Sequence, residues 1–333
     1  MKIPRRLPHL LIGLLTLTAF SAPRAQAHES ATSNYPNKPL HLIVPYPAGG
    51  GADYWGQLVA RKLADKLGQP VEVTNVPGAG GNNGTAVAAR AAPDGYTLLL
   101  GSVGPLAVHP FTYAKLDFAP EQDFVPIALL ESSPILLVAS PTVHTTSAVE
   151  LLERVRSKPG SITYASNGNG SPEQVAGELF KTRLKVDIQH LPYDGAGPAR
   201  KAVLAGQASL MFDPCKGAIA AIHKGLQTPL AVATRTRLPM LPEVPTFGEV
   251  GLPHYELRIW TGVLAPAGTP KEIVAKLNAA VRDMLRTPEI QKEITDEGGE
   301  AGATTPQEFA TFLKTERRNW SALVAESGVP RVQ

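Results

Sequence analysis

The stretch Leu40-His41-Leu42-Ile43-Val44-Pro45-Tyr46-Pro47-Ala48-Gly49-Gly50-Gly51-Ala52-Asp53-Tyr54-Trp55 leaves the chain few options. An apolar run of strand length meets three consecutive glycines and then a helical pattern opened by an aspartate. Glycine lets the backbone turn with positive φ and lets a ligand approach the main chain closely. Asp53 stands where an N-cap belongs, its carboxylate able to accept from free amides of the first turn. A helix N-terminus carries partial positive charge, so the turn is either a seat for an anion or a plain strand-to-helix connection.

The same unit recurs. Trp55, Leu58, Val59, Leu63 and Leu67 repeat at helical spacing, Gly68-Gln69-Pro70 ends that helix, and residues 71–75 read as the next strand. A second glycine-rich loop, 76–81, opens a small-residue helix over 82–92, and a turn at 93–95 leads into a strand over 96–100. This βαβαβ order predicts a parallel sheet with helices on both faces. Residues 125–130 and 135–139 read as two strands separated by Glu131-Ser132-Ser133-Pro134, where the chain crosses into a second lobe. There the expected elements are helix 147–156, strand 161–165, helix 172–184, strand 185–191, helix 196–205 and strand 209–212. Residues 218–224 and 230–233 continue the alternation. The proline-rich segment 238–254 reads as a surface connection, and 257–265 as a strand returning to the first lobe. Helices over 270–286, 288–297 and 306–327 close the structure. The expected fold class is therefore α/β, with two Rossmann-like lobes: residues 38–131 and 257–333 in lobe 1, and 132–256 in lobe 2. A ligand cleft lies between them, lined by the glycine-rich strand ends.

Residues 1–27 have the form of a signal peptide. Lys2, Arg5 and Arg6 precede an apolar run from Leu10 to Phe20, and Ala25-Gln26-Ala27 fits a signal-peptidase site, with cleavage after Ala27. The run is too short for a transmembrane span. The whole chain carries 32 basic and 29 acidic side chains, a net charge of +3. Four of the basic residues and none of the acidic ones lie in the leader, so the mature chain has 28 against 29, a net of −1. A nearly neutral chain without a basic run gives no footprint for nucleic acid. Cys215 is the only cysteine, which excludes an intrachain disulfide.

No two of the eight histidines stand at helical ligand spacing, so no metal site and no cofactor is expected. There is no G-x-S-x-G elbow; Gly101-Ser102-Val103-Gly104 lacks the preceding glycine. Neither glycine loop spells a dinucleotide or Walker pattern. What repeats is a strand ending in glycine, asparagine and serine before a helix, as in Tyr164-Ala165-Ser166-Asn167-Gly168-Asn169-Gly170-Ser171-Pro172. Two such loops facing each other can grip a carboxylate through backbone N–H groups alone, or be ordinary β–α turns. Tyr193 either closes over a ligand or covers the core edge. Asp213 either caps the following turn or accepts from a ligand ammonium or hydroxyl. Arg258 is a solvated arginine or a ligand clamp.

The motifs Pro45–Asp53, Asn75–Gly81, Pro93–Thr97, Ser166–Ser171, Tyr193–Gly195, Pro242–Thr246 and Leu264–Pro270 resemble, in order, those of the tripartite tricarboxylate transporter receptors, or Bug proteins. The similarity covers essentially the whole mature chain. It implies an extracytoplasmic solute-binding protein with a type II periplasmic-binding fold. Two lobes would close on a small organic acid anion, such as a dicarboxylate or an aromatic or aliphatic carboxylate, for uptake by a two-subunit membrane permease. The alternatives are a sensing module for a membrane signalling protein, or a secreted α/β hydrolase, for which no activated nucleophile is visible. The ligand-binding residues implied are Tyr46, Ala48, Gly49, Gly50 and Asp53 in lobe 1, with Ser102 at a neighbouring strand end. In lobe 2 they are Ser166, Gly168, Asn169, Gly170, Ser171, Gln174 and Tyr193, with Asp213 at a strand end. A histidine is common in the family where Gln174 stands, and an aspartate where Ala202 stands.

Overall fold

The computed structural model describes Met1 and residues 34–333; the expected signal peptide, apart from Met1, lies outside the described residues. The first half builds β1 (Leu40–Val44), α1 (Gly51–Leu67), β2 (Val71–Asn75), α2 (Asn82–Ala89) and β3 (Thr97–Ser102). A π-type turn, Gly104–Val108, then runs into the short helix α3 (His109–Thr112). β1 lies between β2 and β3, parallel to both. All three strands therefore end at one edge, where the glycine loops begin. Gly68 closes α1 in the left-handed conformation at φ 70°, the ordinary glycine C-cap.

β4 (Phe124–Ala139) differs from the sequence reading. Residues 131–134, expected as a break between two strands, continue a single 16-residue strand. The polar residues do not interrupt it because each finds a partner. Thr261 donates to Glu131, Arg258 Nε donates to Ser132, and the amide of Lys216 donates to Ser133. The first part of β4 pairs with β9 (Arg258–Pro266), and Ile135–Ala139 pair with β7 (Leu210–Pro214). One strand thus serves both lobes, and Pro36–Gln333 form one compact unit.

The second half adds α4 (Ala148–Ser157), β5 (Thr163–Ser166), α5 (Pro172–Leu184), β6 (Gln189–Pro192), α6 (Ala196–Leu204), α7 (Cys215–His223) and β8 (Thr228–Val232). β5 runs parallel to both β6 and β7, so these strand ends also share an edge. The segment 238–254, expected at the surface, is tied down by its apolar side chains: Leu241, Val244, Phe247 and Leu252 are buried. Phe247 packs between Phe212 and Tyr255. α8 (Lys271–Leu285), α9 (Pro288–Asp296), the short β10 (Glu300–Ala301) and α10 (Pro306–Ser327) follow. α10 opens with a full capping box between Thr305 and Glu308. Near its end, Arg183 of α5 grips Glu326 in a two-pronged ion pair at 2.7 and 2.8 Å.

Candidate functional site

The two glycine-rich edges meet around one aromatic ring. A Cβ at Gly80 would come within 3.3 Å of Tyr113 Oη, and one at Gly170 within 2.8 Å of Tyr113 Cε2. Thr112 Oγ1 donates to the carbonyl of Gly170 at 3.0 Å, and Tyr113 Oη to that of Asn169 at 3.5 Å. Positive φ at Gly80 (63°) and Gly170 (78°) makes this approach possible without a side chain in the way. Neither Thr112 nor Tyr113 stands out in the sequence, because they follow a π-type turn instead of a glycine loop.

On the lobe 1 side, Tyr46 Oη lies 2.7 Å from Ser102 Oγ, joining the ends of β1 and β3. Burial pushes the phenol up to about 12, so it stays neutral. Asp53 is not the N-cap: Gly50 is, and Asp53 is the third residue of α1. From there its carboxylate reaches back to the amide of Gly49 at 2.8 Å and to Asn75 Nδ2 at 3.0 Å. Asn75 Nδ2 also donates to the carbonyl of Tyr46. These donors, Gly49 first, hold Asp53 below the usual carboxylate range. Asp53 therefore shapes the loop from behind. The amides of Ala48 and Gly50 have no hydrogen-bond partner among the described residues.

On the lobe 2 side the side chains lock one another. Ser166 Oγ lies 2.6 Å from His190 Nε2, His190 Nδ1 lies 3.2 Å from Gln174 Nε2, and Gln174 Oε1 accepts from the amide of Gly170 at 2.6 Å. Because Gln174 Oε1 is the acceptor there, its Nε2 donates to His190, which places the imidazole proton on Nε2 facing Ser166. Burial lowers His190 to about 4, which keeps the ring neutral. Ser171 caps α5 by accepting from the amide of Gln174. Ser166 and Gln174, expected to touch ligand, are thus both tied into the loop's own hydrogen-bond network. The amides of Asn167 and Asn169 have no partner among the described residues. Tyr193 is fixed by its backbone, its amide donating to Ser166 and its carbonyl 3.2 Å from where a Gly168 Cβ would stand.

Asp213 does not cap the turn after β7, where Pro214 is the capping residue. Its two oxygens accept from Arg200 Nε at 2.7 Å and Nη2 at 2.8 Å, a bidentate pair with a fully buried carboxylate. Arg200 lies over Gly217, where a Cβ would overlap the guanidinium. Arg258 is committed to Ser132 and, at 3.0 Å, to Glu300. It borders a cavity of about 450 Å³ that also includes Arg235, Glu256 and Trp320 and none of the glycine loops. A smaller cavity, about 270 Å³, lies beside the lobe 2 loop between Asn169, Gln174 and the C-terminal residues 330–333.

Comparison with known proteins gives a consistent picture. Residues 56–329 match the family described as tripartite tricarboxylate transporter family receptor. The protein BugT of Bordetella pertussis is 33% identical over 319 residues, covering 96% of each chain. Among solved structures, R. palustris Rpa4515 with adipate superposes with a TM-score of 0.85 at 31% identity, covering 90% of this chain and all of that one. MatC of Rhodopseudomonas palustris with bound malate gives 0.81 at 35% identity, over 87% of this chain and all of that one. The periplasmic binding protein BugD gives 0.82 at 32% identity, over 90% of this chain and all of that one.

Proposed function

We propose, from the premise that this chain belongs to the tripartite tricarboxylate transporter receptor family, that it is an exported receptor capturing a small organic acid anion. The family is one of periplasmic solute-binding receptors, and the two lobes of this chain have that architecture. Lobe 1 comprises residues 38–131 and 257–333, and lobe 2 residues 132–256. The observation that carries the reading is the meeting of the 76–81 loop of lobe 1 and the 166–171 loop of lobe 2 at Tyr113, with Tyr46 of the 45–53 loop joined to the former by its hydroxyl, which donates to the carbonyl of Gly80 at 3.4 Å. Bare amides at the openings of α1 and α5 suit a carboxylate, aided by the helix dipoles. Carboxylate-bound neighbours at 31% and 35% identity support the same class.

Tyr46, Ser102 and Ser171 border the ligand, while Asp53, Ser166 and Gln174 hold the loops that touch it. The chain works without catalysis, released from its leader after Ala27, and delivers its ligand to a two-subunit permease. A thermal-shift screen of the mature protein against organic acids tests this. An acid at 100 times its dissociation constant raises stability by about 2.7 kcal/mol. A panel that stays flat both before and after unfolding and refolding, which frees a site filled in the expression host, would overturn the reading.

A further inference from the structure

Glu173, the second residue of α5, is 3% exposed, and its Oε2 has no hydrogen-bond partner among the described residues. The Ser171 hydroxyl and the residue's own backbone amide serve the rest of the carboxyl. The neighbouring cation, Arg200, gives its Nε and Nη2 to Asp213. With all three side chains ionised, this buried group holds two negative charges against one positive, and Asp213 repels Glu173. Nearby hydroxyls and amides are engaged elsewhere: Ser102 with Tyr46, Ser166 with His190, and Gln174 with Gly170. Among these side chains, what is left over is an acceptor and a negative charge.

Glu173 also lies among the strand ends that carry the loops. α5 opens from the loop after β5, and Asp213 is the penultimate residue of β7, whose C-terminal edge is the edge of β5. From lobe 1, Tyr46 is close enough to feel the charge of Glu173.

We propose that Glu173 receives an ammonium group, so that the ligand is a carboxylate whose carbon chain also bears a protonated amine. The loop amides hold its carboxylate, and Glu173 Oε2 accepts from its nitrogen. An ammonium brings both the donor and the positive charge that the pocket lacks; a plain diacid brings a second negative charge instead. Burial, with repulsion from Asp213, pushes the unliganded carboxyl up to about 7, and the ammonium returns it to the ionised form.

This inference rests on the carboxylate reading of the cleft, and calorimetry with matched ligands at pH 8 tests the two separately. The probes are aspartate against succinate, glutamate against glutarate, alanine against propionate and phenylalanine against 3-phenylpropionate. The expected result is at least one amino member bound ten times more tightly than its partner lacking the amine, with that ratio falling below about threefold in folded E173Q. A diacid bound as well as its amino counterpart, or an amino preference unchanged in E173Q, overturns the inference and leaves the receptor reading standing. Silence from every amino acid while an acid binds does the same, and silence from acids and amino acids alike overturns both. The wild-type ratios decide the matter even where E173Q does not fold.

Discussion

Replacing Glu173 by glutamine turns an electrostatic argument into a stability measurement. The carboxyl titrates near 4.5 in the unfolded chain and at about 7 in the fold, because burial and then the neighbouring Asp213 disfavour its charge. A raised native pKa means that the folded protein binds more protons than the unfolded one between those values. The stabilisation is full below about pH 4.5 and is lost as pH climbs through 7. A shift of about 2.5 pH units corresponds to roughly 3 kcal/mol. Glutamine keeps the shape and cannot ionise, so E173Q should gain about 3 kcal/mol over wild type between pH 4.5 and pH 8. Other groups titrate in both proteins and drop out of the difference, except that Asp213 is relieved in the variant, which acts in the same direction. Urea unfolding at pH 4.5, 6, 7 and 8, with matching slopes, reads the quantity directly. A difference that stays flat across that range refutes the reasoning, since Glu173 would then be titrating like an exposed carboxylate.

Asp53→Ala removes the contacts to Gly49 and Asn75 and should weaken binding of the cognate acid about tenfold by calorimetry, in a protein that remains folded. Arg200→Ala strands the buried Asp213 carboxylate and should cost about 3–5 kcal/mol in urea unfolding; a loss under 1 kcal/mol would mean that water reaches Asp213. His109 is 2% exposed, and burial lowers it to about 3. Its native form therefore binds fewer protons than the unfolded chain below pH 6.5, and stability falls on acidification. His109→Gln should remove about 1.4 kcal/mol per pH unit of that slope between pH 6 and 4.

The helices and parallel strands of the first half were legible because glycine loops, caps and periodicity agree there. Pro172–Leu184 and Pro306–Ser327 carry their boundaries openly, each with a proline at the first turn after a serine or threonine cap. Glu131-Ser132-Ser133-Pro134 misleads because polar residues signal a loop only when nothing across the sheet satisfies them. Asp53 misleads by three positions: a residue that reaches back from inside a helix looks, in sequence, like one that precedes it. The roles of Thr112, Tyr113, His190 and Arg200 depend on contacts between distant segments, such as Thr112 with Gly170, 58 residues apart. No local pattern encodes those contacts. Glu173 was within reach as a lone carboxylate at a helix opening, but its burial was not.

The strand common to both lobes has a mechanical meaning. Phe124–Ala139 is clamped to Arg258–Pro266 along its first part and to Leu210–Pro214 along its last, so neither end can swing on a slack tether. Any movement of one lobe against the other has to bend this ribbon where its partner changes, from β9 at Pro134 to β7 at Ile135. A ligand that favours a closed arrangement has to offset the cost of that bend through its differential affinity for the two arrangements.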